Sequence, residues 1–187
     1  TMGFEKPTVF SDKQKKLIAY HEAGHALVGF LNKDFDENIS KISIIPRSNG
    51  AGGFTKFLPS DESLNGLQSQ KYLKAKLSVM LGGRCAEKIV FGDSSVTTGA
   101  SSDIKVASDL SYTMIKNFGF GSTRIIRDDD SIIDESKKLM DDAEKVATDI
   151  LLKNKSLMDK LVEILIEKEC VGRNELNFLH DNYYKTN

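Results

Sequence analysis

Only 2 of the 187 residues are cysteine, and they stand far apart at Cys85 and Cys170. That is too few for a disulfide scaffold, and neither has the CxxC spacing of a zinc-ligand pair, so both are expected to be reduced thiols. No apolar run approaches the ~18–20 residues of a membrane span; the longest are short, such as Ala26-Leu27-Val28-Gly29-Phe30-Leu31. The first residues, Thr1-Met2-Gly3-Phe4-Glu5-Lys6, contain no apolar signal core. Charge of one sign is not in excess either: 26 Lys+Arg against 27 Asp+Glu leave a net charge of −1. A dedicated nucleic-acid binder should carry a basic surplus or stripe, so no nucleic-acid partner is expected. Histidine is scarce, at 3 residues, and no internal repeat is visible. What is present is ordinary globular material, 40% hydrophobic and 28% charged. The length suits one domain over residues 1–187. The lone Thr before Met2 leads us to expect a piece of a longer protein.

The periodicity predicts a mainly α fold with a minor β element. Residues 11–32 read as a helix capped by Ser11, with Leu17, Ile18, Ala26, Leu27 and Phe30 at helical spacing. Residues 39–45 and Phe54–Leu58 read as two short strands around a Gly/Asn/Ser-rich turn, the second stopped by Pro59. They predict a β-ribbon with at least one exposed edge. Residues 63 to about 89 read as helix interrupted by Gly82 and Gly83, at roughly 1 kcal/mol each relative to Ala, a cost that suggests close packing there. A small-residue loop over 91–102 precedes a helix from Asp103 to about Asn117, then a loop over 119–130. Two amphipathic helices follow, the second capped by Ser156, and the short polar turn between them predicts a C-terminal helical hairpin. Asn174-Glu175-Leu176 opens a short last turn, and His180 lies in a polar tail.

Residues 21–25 read His21-Glu22-Ala23-Gly24-His25, an HExxH pattern. On a helix, positions i and i+4 share a face, so both imidazoles can reach one metal ion. Zinc bound by neutral imidazoles acidifies a water, and Glu22, beside the first ligand, is placed to take its proton as general base. A catalytic zinc needs a third protein ligand and an open position. A third histidine six residues on is excluded, because position 31 is Leu. Glu87 and Asp103 suit the role better than His180, and spacing does not choose between them. Since the histidines must be deprotonated to bind, metal affinity and activity should fall as pH drops through ~6.5. The alternative is a non-catalytic oligomerisation domain with a structural or vacant metal site.

Beyond HEAGH, the chain carries Ile45-Pro46-Arg47, Gly53-Phe54-Thr55, Leu58-Pro59, the block Leu81-Gly82-Gly83-Arg84-Cys85-Ala86-Glu87, Phe91-Gly92, and Val96-Thr97-Thr98-Gly99-Ala100-Ser101-Ser102-Asp103-Ile104, with Phe118-Gly119 after it. In this order over residues 10–121, these blocks resemble the peptidase domain of the FtsH family, membrane-anchored ATP-dependent zinc metalloproteases of the AAA+ class. The resemblance implies an FtsH-type zincin fold, one Zn2+ per chain held by His21, His25 and Asp103, and Glu22 as catalytic base. It implies that Glu87 orients a ligand histidine, where the residues alone allow equally an ion pair with Arg84 or Lys88. It implies that Gly53, Phe54 and Thr55 belong to an edge strand that receives unfolded polypeptide. It further implies a homo-oligomer, a hexamer in the full-length protein, which would be integral to a membrane, mitochondrial or otherwise organellar, with the bacterial inner membrane as the alternative. The segment after Gly121 is shorter than is usual in that family. No GxxxxGK[ST] occurs, so ATP and the membrane would enter only through segments outside these residues.

Overall fold

The computed structural model describes residues 9–48, 52–125 and 128–185. Helix α1, Asp12–Leu31, starts at Ser11, whose hydroxyl accepts from the Gln14 amide while the Gln14 side chain accepts from the Ser11 amide. This reciprocal capping box satisfies two donors that a helix start otherwise leaves unpaired. From Ala19 to Gly29 nearly every residue of α1 is buried, including His21 and Glu22. A helix apolar around its circumference belongs in the middle of a fold, and α1 is packed on by α3, α5, α6 and the sheet.

Strands β1, Asn38–Ser43, and β2, Phe54–Leu58, pair antiparallel, with Ile42 opposite Thr55 and Ser43 opposite Phe54. The ribbon is wider than the sequence predicts. A third strand, β3, Cys170–Gly172, pairs with the other side of β1 and gives the order β2-β1-β3. Among the described residues the exposed long edge is therefore that of β2. The turn expected over 46–53 falls partly outside the described residues.

The helix expected from Ser63 is divided in two. A single turn, α2, Asp61–Leu64, ends before Gly66, which sits at a φ of 73° that other residues adopt only with strain. Helix α3, Gln70–Phe91, restarts with Ser69 as its cap. Gly82 and Gly83 do not break α3. They lie where it crosses α1: a Cβ on Gly82 would stand 2.7 Å from the Gly24 carbonyl oxygen, and one on Gly24 would stand 2.3 Å from that of Gly82. The propensity cost of the glycines admits backbone-to-backbone contact between two helices.

Helix α4, Ser101–Lys116, follows two short 3-10 turns at Asp93–Ser95 and Thr98–Ala100. Helices α5, Asp129–Lys153, and α6, Lys155–Lys168, meet at Asn154. Asn154, not Ser156, stands at the N-cap of α6, so Ser156 lies inside its first turn. The pair distributes its apolar faces: α5 lies along α3 and α4, and α6 lies along α1. The expected short last turn is a full helix, α7, Arg173–Lys185.

Candidate metal centre

Three donors converge on one point. His21 and His25 reach it from one face of α1, and Asp103 from the first turn of α4. His21 Nε2 and His25 Nε2 are 3.1 Å apart, and Asp103 Oδ2 is 3.2 Å from each. The face of α3 beneath them must be bare, because a Cβ on Gly83 would come within 2.6 Å of His21 Nε2 and 2.7 Å of His25 Nε2.

The outer nitrogens fix how the rings point. His21 Nδ1 lies 2.8 Å from Glu87 Oε2, and His25 Nδ1 lies 2.7 Å from the Val79 carbonyl oxygen. A carboxylate and a carbonyl only accept, so each Nδ1 is assigned a hydrogen and each Nε2 is turned toward the shared point. Glu87 is fully buried and is held in turn by Thr97, whose amide and hydroxyl donate to Oε1 at 3.1 and 2.6 Å. Of the two ion-pair partners the residues allow for Glu87, Lys88 reaches Asp93 and Glu144 instead. Spacing gives no hint of Thr97 or of the Val79 carbonyl.

Two facing imidazole nitrogens beside a carboxylate need a positive charge among them, which a proton or a metal cation can supply. Burial by itself would lower the His21 pKa, but its hydrogen bonds to Asp103 and Glu87 outweigh that and raise it from 6.5 to about 9. For Asp103, burial pushes upward, and the contacts with His21 and His25 overcome it and hold the carboxyl far below the usual carboxylate range. The donors also suit zinc by geometry. A tetrahedron with ~2.0–2.1 Å bonds has edges of ~3.3–3.4 Å, close to the observed separations. Among the described residues the cluster has these three donors and no fourth.

Glu22 is 8% exposed and lies beside the donors, where the Thr55 hydroxyl of β2 donates to its Oε2 at 2.8 Å. A cleft of about 670 Å³ opens over this group, with Ile18, Phe57, Val79 and Met80 among its walls. Gly53, Phe54 and Thr55, expected at a substrate edge, all line this cleft. His180 is elsewhere, on α7, with its ring 5.2 Å from that of Phe30.

An HExxH helix completed by a distant carboxylate, in a mainly α fold with a small antiparallel sheet, defines the class to which the chain can be compared. Peptidase family M41 matches it over residues 8–130, and the chain belongs to that family. It is 41% identical to "ATP-dependent zinc metalloprotease FtsH 3" of Synechocystis sp., over 95% of this chain and 33% of that protein. It is 42% identical to the chloroplastic "ATP-dependent zinc metalloprotease FTSH 1" of Arabidopsis thaliana, over 91% of this chain and 27% of that protein. The chain thus spans about a third of the length of these relatives or less. The first alignment runs over 203 positions, more than the 187 residues of the chain, so the relative carries residues that this chain lacks.

Proposed function

We propose that residues 1–187 form one zinc metallopeptidase domain that hydrolyses peptide bonds of unfolded or membrane-protein chains. The observation that carries the reading is the convergence of His21, His25 and Asp103 beside Glu22 in a cleft bordered by an open strand edge. His21, His25 and Asp103 would hold one zinc ion, which supplies acidification of a water and polarisation of a peptide carbonyl. Glu87 keeps the His21 ring turned and its Nε2 free of hydrogen. Glu22 removes the proton of the attacking water and returns it to the leaving amine. An extended peptide would pair with β2, and its main-chain hydrogen bonds leave side-chain preference loose. A closed structural site would need a fourth side-chain donor, and the three-donor cluster under an open cleft favours catalysis over the oligomerisation-domain alternative.

In the longer protein, this domain would be the proteolytic half of an ATP-driven quality-control machine, assembled as a homo-oligomer, a hexamer by family resemblance. Its ATPase and membrane anchor would lie outside these residues. No helix among the described residues is long and apolar enough to cross a membrane. The setting would be a membrane, organellar or bacterial. The mitochondrial assignment rests on the resemblance alone, while of the relatives above one is from Synechocystis sp. and the other is chloroplastic by name.

The test is zinc content measured together with hydrolysis of an unfolded protein by the wild type and Glu22→Gln. Loss of general-base help should lower turnover ~10²–10⁴-fold at unchanged zinc content. A zinc-loaded wild type no faster than Glu22→Gln would sink the reading.

A further inference from the structure

The hydrogen bond between strand β2 and the HExxH helix is not explained by metal binding or by the strand edge. We propose that Thr55 is a positioning residue that holds the Glu22 carboxylate for proton transfer and ties it to the peptide-binding strand. The proposal rests on the reading of Glu22 as general base.

Two features of β2 bring the hydroxyl there. Gly53 permits the approach: a Cβ at this position would stand 2.6 Å from the Ser43 carbonyl oxygen, 3.0 Å from Ile18 and 3.1 Å from Glu22 Cγ. Two residues on, Thr55 shares the face of Gly53, because alternate strand residues point the same way. Phe54 between them is covered by the Arg47 guanidinium, 3.8 Å from the ring centroid. The strand therefore lies against α1 with its one hydroxyl at Glu22.

The Thr55 hydroxyl reaches two acceptors of the same residue, Oε2 at 2.8 Å and the main-chain oxygen at 3.0 Å. It has one proton to donate and lone pairs to accept with. While Glu22 is ionised, the charge-assisted bond to Oε2 is the stronger choice. It occupies Oε2 and leaves Oε1 as the oxygen that takes the proton. Once Glu22 is protonated on Oε1, the hydroxyl can still donate to Oε2 or turn to the main-chain oxygen, so Thr55 keeps an acceptor in both states. No proton is gained or lost by Thr55 over the cycle. Because Thr55 belongs to β2, a peptide aligned on that strand is placed in register with the base. A flexible glutamate side chain without this anchor would spread over several rotamers, and misplacement of a catalytic group is costly.

The experiment compares wild type, Thr55→Val, Thr55→Ser and Glu22→Gln in zinc content, kcat and KM on an unfolded peptide, and in crystal structures. Val keeps the shape of Thr and removes the hydroxyl; Ser keeps the hydroxyl. Thr55→Val should lower kcat about tenfold, with KM within about twofold and zinc content equal to wild type. Thr55→Ser should stay within about twofold of wild type in kcat. In the crystal, the Glu22 carboxylate should leave its place in Thr55→Val and keep it in Thr55→Ser. A folded, zinc-loaded Thr55→Val with wild-type kcat, or with Glu22 unmoved, overturns the proposal. So does a Thr55→Ser as slow as Thr55→Val. If Thr55→Val does not fold, Thr55→Ala is read by the same criteria. A wild type that cleaves nothing, or a Glu22→Gln as fast as wild type, overturns the peptidase reading instead, and the crystal comparison still decides the contact.

Discussion

The crossing of α1 and α3 and the outer pair α5 and α6 are all helix, yet they are built on opposite rules. In the crossing, Gly24, Gly82 and Gly83 sacrifice helix propensity so that backbones touch and two imidazoles fit against bare α3. In the outer pair, Ile132, Leu139, Ala143, Ala147 and Leu151 form one buried stripe on α5, and the opposite face is charged and exposed. The first region is shaped for a site at the expense of local stability. The second is an ordinary amphipathic stripe whose function is burial. Chemistry sits where local preference is overridden.

The largest effect should come from filling the crossing. Gly24→Ala places a methyl group against the Gly82 carbonyl and should cost about 3 kcal/mol, the upper range for overpacking, whereas exposed Lys145→Ala on α5 should change stability by no more than ~0.5 kcal/mol. Chemical denaturation checks both, and equal costs would erase the distinction. Next is Glu87→Gln, which keeps the side-chain size but weakens the hold on His21. Zinc affinity should drop ~10–100-fold in competition with a chelator, while Glu144→Gln on the outer shell should leave it unchanged.

A smaller effect is expected from protons in the chelator-treated protein. The His21 pKa is raised from 6.5 to about 9, so the folded state binds this proton more tightly than the unfolded state. The resulting stability is fully present below pH 6.5 and is lost as pH rises to about 9. Denaturation midpoints of the metal-free protein should therefore fall between pH 7 and 9.5, and His21→Gln should flatten that slope. The mildest contrast is between the two thiols. Cys85 is buried, and burial pushes its pKa up to about 11, while Cys170 is half-buried on β3. A thiol reagent at pH 8 should modify Cys170 in the native protein and Cys85 only after unfolding. Equal rates would show that the α3–α5 interface opens readily.

Elements written in local pattern were legible. Ser11 marks the start of α1, Pro59 follows the end of β2, and the stripes of α5 and α6 announce their buried faces. Elements that depend on distant partners were not. Strand β3 has three residues, too few for a period, and exists because β1 offers it an edge. The break before α3 hangs on Gly66, which helical periodicity alone does not detect. Helix α7 hides in a polar segment whose only buried residue is Leu176.

The site divides along the same line. The sequence by itself determined that His21 and His25 share a face with Glu22 beside them, because i and i+4 are neighbours on any helix. Spacing left Asp103 level with Glu87, and family resemblance separated their roles. Only the tertiary structure decided that Asp103, 78 residues beyond His25, arrives 3.2 Å from its Nε2, that Glu87 turns back to the other side of His21, and that Thr55 meets Glu22. Those meetings depend on how α1 and α3 cross and how β2 lies against α1, and contacts between segments far apart in the chain leave no period in the sequence.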